Sequence, residues 1–412
     1  MKFCELNVVE YEQFVNTHFS HYTQMQYHYD YKMDHNEPVH LVGVKDGDTV
    51  LAACLLTGAK VFKFFNYYYS HRGPVMDHHN KALVDTFYNG LTAYLKKKNG
   101  LFVLVDPHIV IQKRDHDGNV TETFEHKDII QNLEALGYHH KGYSVGYSMD
   151  SQARFLSVLN LKDKSEADLL KAMEYKTRRN INKTIEMGVK LRDLSIDETE
   201  TFFELFNMAK DKHGFSFMGY DHFVRMQKIY KDKCRLVLSY IDLNEHLATL
   251  EADLAKKQAD YDKHKAELDE NPDFRKLRNK VAELEKAVNN QKKKIEDIKA
   301  LKATDGDILN LASALYIRNN HELYYLSSGS NPKYNQFMGA YNMMWEMIKY
   351  AKSLGLDYYN FYGVSGDFSE SSTDAGVIKF KKGFNAEVDE FIGDFEKPLK
   401  PFFYKLYKMK QK

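Results

Sequence analysis

The stretch NEHLATLEADLAKKQADYDKHKAELDE at residues 244–270 and its continuation NPDFRKLRNKVAELEKAVNNQKKKIEDIKALK at residues 271–302 set the architecture of this chain. In the first part Leu247, Leu254, Tyr261 and Leu268 fall seven residues apart. In the second, Leu277, Leu284 and Ile298 share one row and Val281, Val288 and Ile295 another, the repeat of helices that seal against each other along one face. Between them Asn271-Pro272 stops one helix and suits the first turn of the next. The pattern predicts two antiparallel helices, an arm inserted into a larger unit. The first helix is mostly acidic and the second mostly basic, through Arg275, Lys276, Arg278, Lys280, Lys292, Lys293 and Lys294, so the two can pair with each other. Two readings of the arm stand side by side. One is a self-satisfied coiled coil that spaces or stiffens; the other is a basic face that neutralises RNA phosphates, salt-sensitively and without reading sequence.

Outward from the arm the chain reads as two mixed α/β units. Val39 to Val44 and Thr49 to Leu56 are strands joined at Lys45-Asp46-Gly47-Asp48, whose Asp-Gly pair supplies the positive φ of a tight turn. Leu83, Val84, Phe87, Leu91 and Leu95 predict a helix over 80–98, and Leu101 to Val105 a buried strand that ends at Asp106-Pro107. The same grammar returns with strands at 188–191 and 236–241 around a helix over 198–212. After the arm come extended stretches at 308–317 and 323–327, a helix over 337–354 and a strand over 358–362. Two such units with little identity imply a duplicated fold rather than a tandem repeat. The expected boundaries are 1–150 with 391–412 for the first unit, 151–243 with 303–390 for the second, and 244–302 for the arm.

A chain of 412 residues, 43% of them hydrophobic, suffices for two domains with cores of their own. Its 29 Tyr and 26 Phe suit cores and clefts that need a ring with a polar tip. Basic and acidic residues number 58 each, so no global field recruits nucleic acid; DNA is not an expected partner, and any RNA contact needs a local patch. Cys4, Cys54 and Cys234 are too scattered for a clustered metal site or a disulfide framework, and read as reduced, buried thiols. The segment Met1 to Leu6 lacks the apolar core of a signal peptide, and no stretch reaches the roughly 20 apolar residues of a spanning helix; the expectation is a cytoplasmic protein.

Several chemistries are set aside by their missing motifs: no GxxxxGK(S/T) phosphate loop, no GxGxxG after a strand, no HExxH and no CxxC. Adjacent histidines such as His78-His79 and His139-His140 point apart on any regular element and chelate poorly. A coenzyme A site would need Q/R-x-x-G-x-G/A between a strand and its helix, so that backbone N–H groups hold the pyrophosphate. The nearest match, Gln336-Phe337-Met338-Gly339-Ala340-Tyr341, puts a bulky ring where a small residue is required.

Five stretches, spaced along the chain in order, closely resemble the FemA, FemB and FemX aminoacyltransferases. They are Tyr69 to Val75, Val105-Asp106-Pro107, Arg178 to Lys183, Tyr359 to Gly366 and Gly376 to Asn385. The resemblance covers essentially the whole chain, arm included. It implies twin acetyltransferase-like domains with an arm similar to that of seryl-tRNA synthetase. It also implies transfer of glycine or serine from aminoacyl-tRNA to an amino group on the bridge peptide of lipid II, at the inner membrane leaflet, with neither metal nor coenzyme. Association with a second copy or with related transferases is a further implication. The basic tail, with Lys400, Lys405, Lys408, Lys410 and Lys412 among Phe402, Phe403, Leu406 and Tyr407, suits contact with anionic lipid.

The chemistry can be argued from first principles. An aminoacyl ester is already activated, so an amine attacks it downhill without ATP. The protein must hold amine and carbonyl together, stabilise the oxyanion and exclude water. The pair Phe380-Lys381 matches the Phe-Lys pair of FemX-like enzymes, which places Lys381 near the oxyanion. Read without the resemblance, it is a solvated lysine in the run Lys379 to Lys382. An α-amino group loses its proton near pH 8, so no dedicated base is demanded. Asp106, ending a buried strand, is the candidate for orienting that amine. Lys32 corresponds by position to a lysine that binds precursor phosphate, and Tyr362 is carried over as a substrate contact. Arg178 and Arg179 grip either tRNA phosphate or lipid II pyrophosphate, or form a solvated helix face. Two other functions stand beside the glycyl transferase: a serine-inserting immunity paralogue, and a non-catalytic protein that docks through its arm.

Overall fold

A computed structural model describes residues 1–213 and 218–411. Lys412, counted in the basic tail, lies outside the described residues. Two sheets of mixed α/β architecture carry the molecule, as expected. The first runs in the order Lys2–Glu5, Val39–Asp46, Thr49–Val61, Phe65–Ser70, Gly100–Val105, Phe395–Pro398 and His139–His140, with Val75–Met76 on the third strand. The second runs Lys190–Asp193, Cys234–Asp242, Ile308–Arg318, Glu322–Ser330, Tyr358–Val364, Phe155–Asn160, Glu387–Phe391, Val110–Arg114 and Val120–Thr123. The two strands between Val110 and Thr123 therefore lie in the second sheet although they follow the first in sequence. Val110–Arg114 pairs with Glu387–Phe391 and is pinned there by an Arg114–Glu390 ion pair of 2.6 Å, and Val120–Thr123 pairs with Val110–Arg114 at the edge.

Each sheet is built around the same device. An antiparallel hairpin leads into two parallel strands, and the crossover between them is a helix that covers one face, as parallel pairing requires. In the first unit that helix is Lys81–Lys97, started by Asn80 accepting from the Leu83 N–H, with Leu83, Val84, Phe87, Leu91 and Leu95 buried against the sheet. In the second it is Gly339–Ser353, which buries Met343, Met344, Met347, Ile348 and Ala351.

The two units differ at one decisive place. Phe65–Ser70 stays paired with Gly100–Val105 along its length, from Asn66 opposite Gly100 to Ser70 opposite Val105. Glu322–Ser330 pairs with Tyr358–Val364 only from Glu322 opposite Tyr358 to Tyr324 opposite Asn360. Beyond that point the strands part.

The arm is an insertion in a hairpin. Cys234–Asp242 and Ile308–Arg318 pair as neighbours up to Asp242 opposite Ile308, and helices Leu243–Glu270 and Arg275–Asp305 grow from their ends. The helices run antiparallel, as Lys302 bonding Asn244 near the root and Lys257 bonding Gln291 further out require. Val281, Leu284, Val288 and Ile295 are buried in the seam, and at the root Ile298 and Leu301 pack on Val189, Ile241, Leu309 and Phe337. Among the described residues no helix is long and apolar enough to cross a membrane.

Candidate active site

Where the parallel strands part they no longer pair with each other, and the gap is a cleft of about 1030 Å³. Tyr325 to Ser330 form one wall and Phe361, Tyr362 and Gly363 the other. A bulge aims the second wall. Ser157 sits opposite Tyr362 and Val158 opposite Asn360, which leaves Phe361 as the extra residue. Tyr362 takes a left-handed φ of 65°, uncommon for a side chain this large, held by its N–H donating to Asn360 Oδ1 at 2.8 Å.

The carbonyls of Tyr362 and Gly363 are met by one side chain. Lys381 Nζ donates to them at 3.1 and 2.7 Å. Lys381 rides on helix Ala375–Gly383, three residues beyond buried Ile378 and on the same inward face, and is 5% exposed. Burial pulls its ammonium down to about 7, while the nearby Asp374 carboxylate works to hold the charge. Burial pushes the Asp374 carboxyl up in turn, but hydrogen bonds to it outweigh that and leave it below the ordinary range. They come from the Ser365 N–H at 2.8 Å, Ser365 Oγ at 2.6 Å, Ser372 Oγ at 2.7 Å and the Tyr147 hydroxyl at 2.9 Å. An ammonium has three N–H donors; with two on strand carbonyls, the third is available to an oxygen in the cleft.

Of the residues singled out from sequence, Lys381, Phe380, Tyr362 and Lys32 line this cleft together. Phe380 packs on Tyr341 and Phe384, with ring centroids 5.1 and 5.3 Å apart, beside Lys381. Tyr362 donates its hydroxyl to Gln152 Oε1 at 2.6 Å. Lys32 stands across the cleft on helix Gln26–Asp34, paired with Glu37 at 3.0 Å.

Asp106, Arg178 and Arg179 are elsewhere. Asp106 is buried behind the wall, accepting from the Arg72 N–H at 2.7 Å, with the Arg72 guanidinium 3.8 Å away; burial pushes its carboxyl up to about 7 against the pull of that cation. Arg72 reaches on to the Ala153 carbonyl and lies over the Phe391 ring, so the pair ties the first sheet to the second. Arg178 closes the preceding helix by donating to the Lys171 and Met173 carbonyls at 2.7 and 2.5 Å, and Arg179 is exposed on the surface.

Sequence reasoning missed Asp374, Gln152, and the histidines His28, His35 and His222 that share the wall with Lys32. The histidines come from segments nearly 200 residues apart, of which His28 and His222 are brought together by packing of Gln26–Asp34 on Tyr220–Tyr230, where Tyr31 bonds His222 at 2.7 Å. For Lys381 a signal did exist: the helical spacing from Ile378 puts it on the buried face.

The geometry thus gives a buried cation at a parted strand edge, in an open cleft. Residues 6–412 match the FemAB family. The chain belongs to the FemAB family. It is 39% identical over 414 residues to aminoacyltransferase FemA of Staphylococcus epidermidis strain RP62A, covering 100% of this chain and 99% of that protein. It is 37% identical over 409 residues to aminoacyltransferase FemA of Staphylococcus aureus strain MW2, covering 99% and 97%. The crystal structure of FemX superposes with a TM-score of 0.81 at 23% identity, over 98% of this chain and 99% of that one, which shows a common fold. Aminoacyl transfer is the activity class that goes with this FemAB membership.

Proposed function

We propose that this FemAB chain moves glycine from glycyl-tRNA to the free amino group of the interpeptide bridge on lipid II, working at the inner face of the membrane with no metal or coenzyme. The observation that carries the reading is Lys381, buried where the strands part and equipped with a spare donor, in a chain of this family.

The acceptor amine, neutral in part at physiological pH, attacks the ester carbonyl carbon. As the new C–N bond forms, the carbonyl electrons move onto oxygen, and protonated Lys381 donates to that oxyanion. The ribose oxygen then leaves with the bonding pair and takes the proton that the amine gives up. The result is an amide and an uncharged tRNA. A charged donor in so buried a setting stabilises the developing oxyanion far more than it would in water. The ring of Phe380, which lines the cleft and is backed by Tyr341 and Phe384, keeps water from the reacting ester. Lys32, with the histidines of its wall, holds the phosphate end of the acceptor. Asp106 acts from behind, by fixing Arg72, and exposed Arg179 and the basic helix of the arm contact tRNA phosphate.

The test is single-turnover transfer from labelled glycyl-tRNA and seryl-tRNA to lipid II carrying no, one or three bridge glycines. Glycine transfer to one acceptor length is expected. Serine transfer alone would make this the serine-inserting type, and turnover of neither would remove the transferase reading.

A further inference from the structure

The tip between strands Thr49–Val61 and Phe65–Ser70 breaks the local rules of a tight turn. Phe62 and Lys63 both take left-handed φ, 54° and 52°, where asparagine and glycine are the usual choices. The effect is to hold Phe64 outward, 79% exposed. Beside it lies the helix Pro401–Gln411, anchored by Tyr404 and Tyr407 on Phe102 and by Phe403 on Phe65, with ring centroids 5.5, 5.4 and 4.9 Å apart. The outer side of this helix carries Phe402, Leu406 and Met409, exposed to 69, 41 and 73% and spaced four and three residues apart, one continuous stripe. Lys405 and Lys410 flank the stripe, Lys60 and Lys63 are exposed near the tip, and 399–412 contains no acidic residue.

Charge and apolarity together choose the occupant. A symmetric contact with a second copy would set these lysines against their own kind. RNA would use the lysines and leave the apolar stripe in water. An anionic bilayer uses both, with rings and aliphatic chains in the acyl boundary and ammonium groups at headgroup phosphates.

We propose that the Phe62–Phe64 tip and the helix Pro401–Gln411 form a docking surface for anionic phospholipid. The placement suits the function proposed above, on which only this last step rests. A gallery of about 230 Å³ runs beneath the helix, lined by Tyr407 and Lys408 and by Ser151 and Gln152, and the last two also line the main cleft. A docked molecule would therefore hold the main cleft near the bilayer, within reach of a substrate whose tail stays there.

The test is sedimentation of the full chain with vesicles of phosphatidylcholine alone and of equal parts phosphatidylcholine and phosphatidylglycerol. Binding to the mixed vesicles, weakened by salt, is expected. Phe64→Ser, Phe402→Ser, Leu406→Ser and Met409→Ser together should cut it by about tenfold or more, since these side chains supply the inserted area. Lys405→Glu with Lys410→Glu should remove the preference for phosphatidylglycerol, with melting temperature unchanged in both variants. Equal binding by wild type and both variants, no binding to either vesicle, or a dimer in solution that the serine variant dissolves would each overturn the proposal. Vesicle binding is read without turnover, so a failed transfer assay leaves it standing, and a failed vesicle assay leaves transfer standing.

Discussion

At the scale of a residue, the account turns on a lysine kept where its charge is costly. The folded pKa of Lys381, about 7, lies below the ordinary 10.5, so between those values the unfolded chain binds more protons than the folded one. Stability must then rise with pH across that window, by up to about 1.4 kcal/mol per pH unit from this group, and level off below it. Denaturant melts of wild type against Lys381→Met over that range should show wild type gaining on the variant as pH rises; parallel curves would mean that the lysine stays charged. Asp374→Asn removes the carboxylate that supports the ammonium, so the rise should begin at lower pH and transfer should weaken. In the letters only the helical spacing from Ile378 marked the lysine as inward. Lys381 sits in a run with Lys379 and Lys382, and exposed Lys379 and half-exposed Lys382 make the whole run look solvated.

At the scale of elements, local patterns read through well and long-range ones did not. The heptads gave both arm helices, and Asp46-Gly47 gave the hairpin, with Gly47 at a φ of 59°. What no local pattern carries is that Val110–Arg114 crosses to the second sheet, or that one parallel pair parts while its counterpart stays closed. The parted strand also depends on a close approach. Gly329 lies against the backbone of Leu205 and Phe206, and a methyl group there would collide with main chain that cannot swing aside. Gly329→Ala should therefore cost about 1–3 kcal/mol in a urea melt and distort the cleft wall that Gly329 lines. The arm, rooted at Ile298 and Leu301, should be separable from the core. Replacing residues 251–294 by a short turn keeps that root, and the shortened protein should melt cooperatively near the wild-type temperature. If the arm contacts tRNA, its KM for glycyl-tRNA should rise with kcat little changed, whereas an unchanged KM would make the arm a spacer.

At the scale of the whole molecule, two related sheets have divided their labour. The first keeps its parallel strands closed, and through Arg72 it braces the second, which opens its own into a cleft. The resemblance read from five short stretches placed the fold and activity class correctly, and four of the five fall where the site is built: the Arg72 turn and Asp106 that holds it, the bulge at Tyr362 and the Lys381 helix. The most direct test of the account is single-turnover transfer by Lys381→Ala at saturating glycyl-tRNA and acceptor, with binding of both substrates measured alongside. A loss of about 10²–10³-fold in the transfer step with binding retained is the predicted result, the scale of removing one oxyanion donor. Transfer at the wild-type rate would contradict it and take Lys381 out of the chemistry.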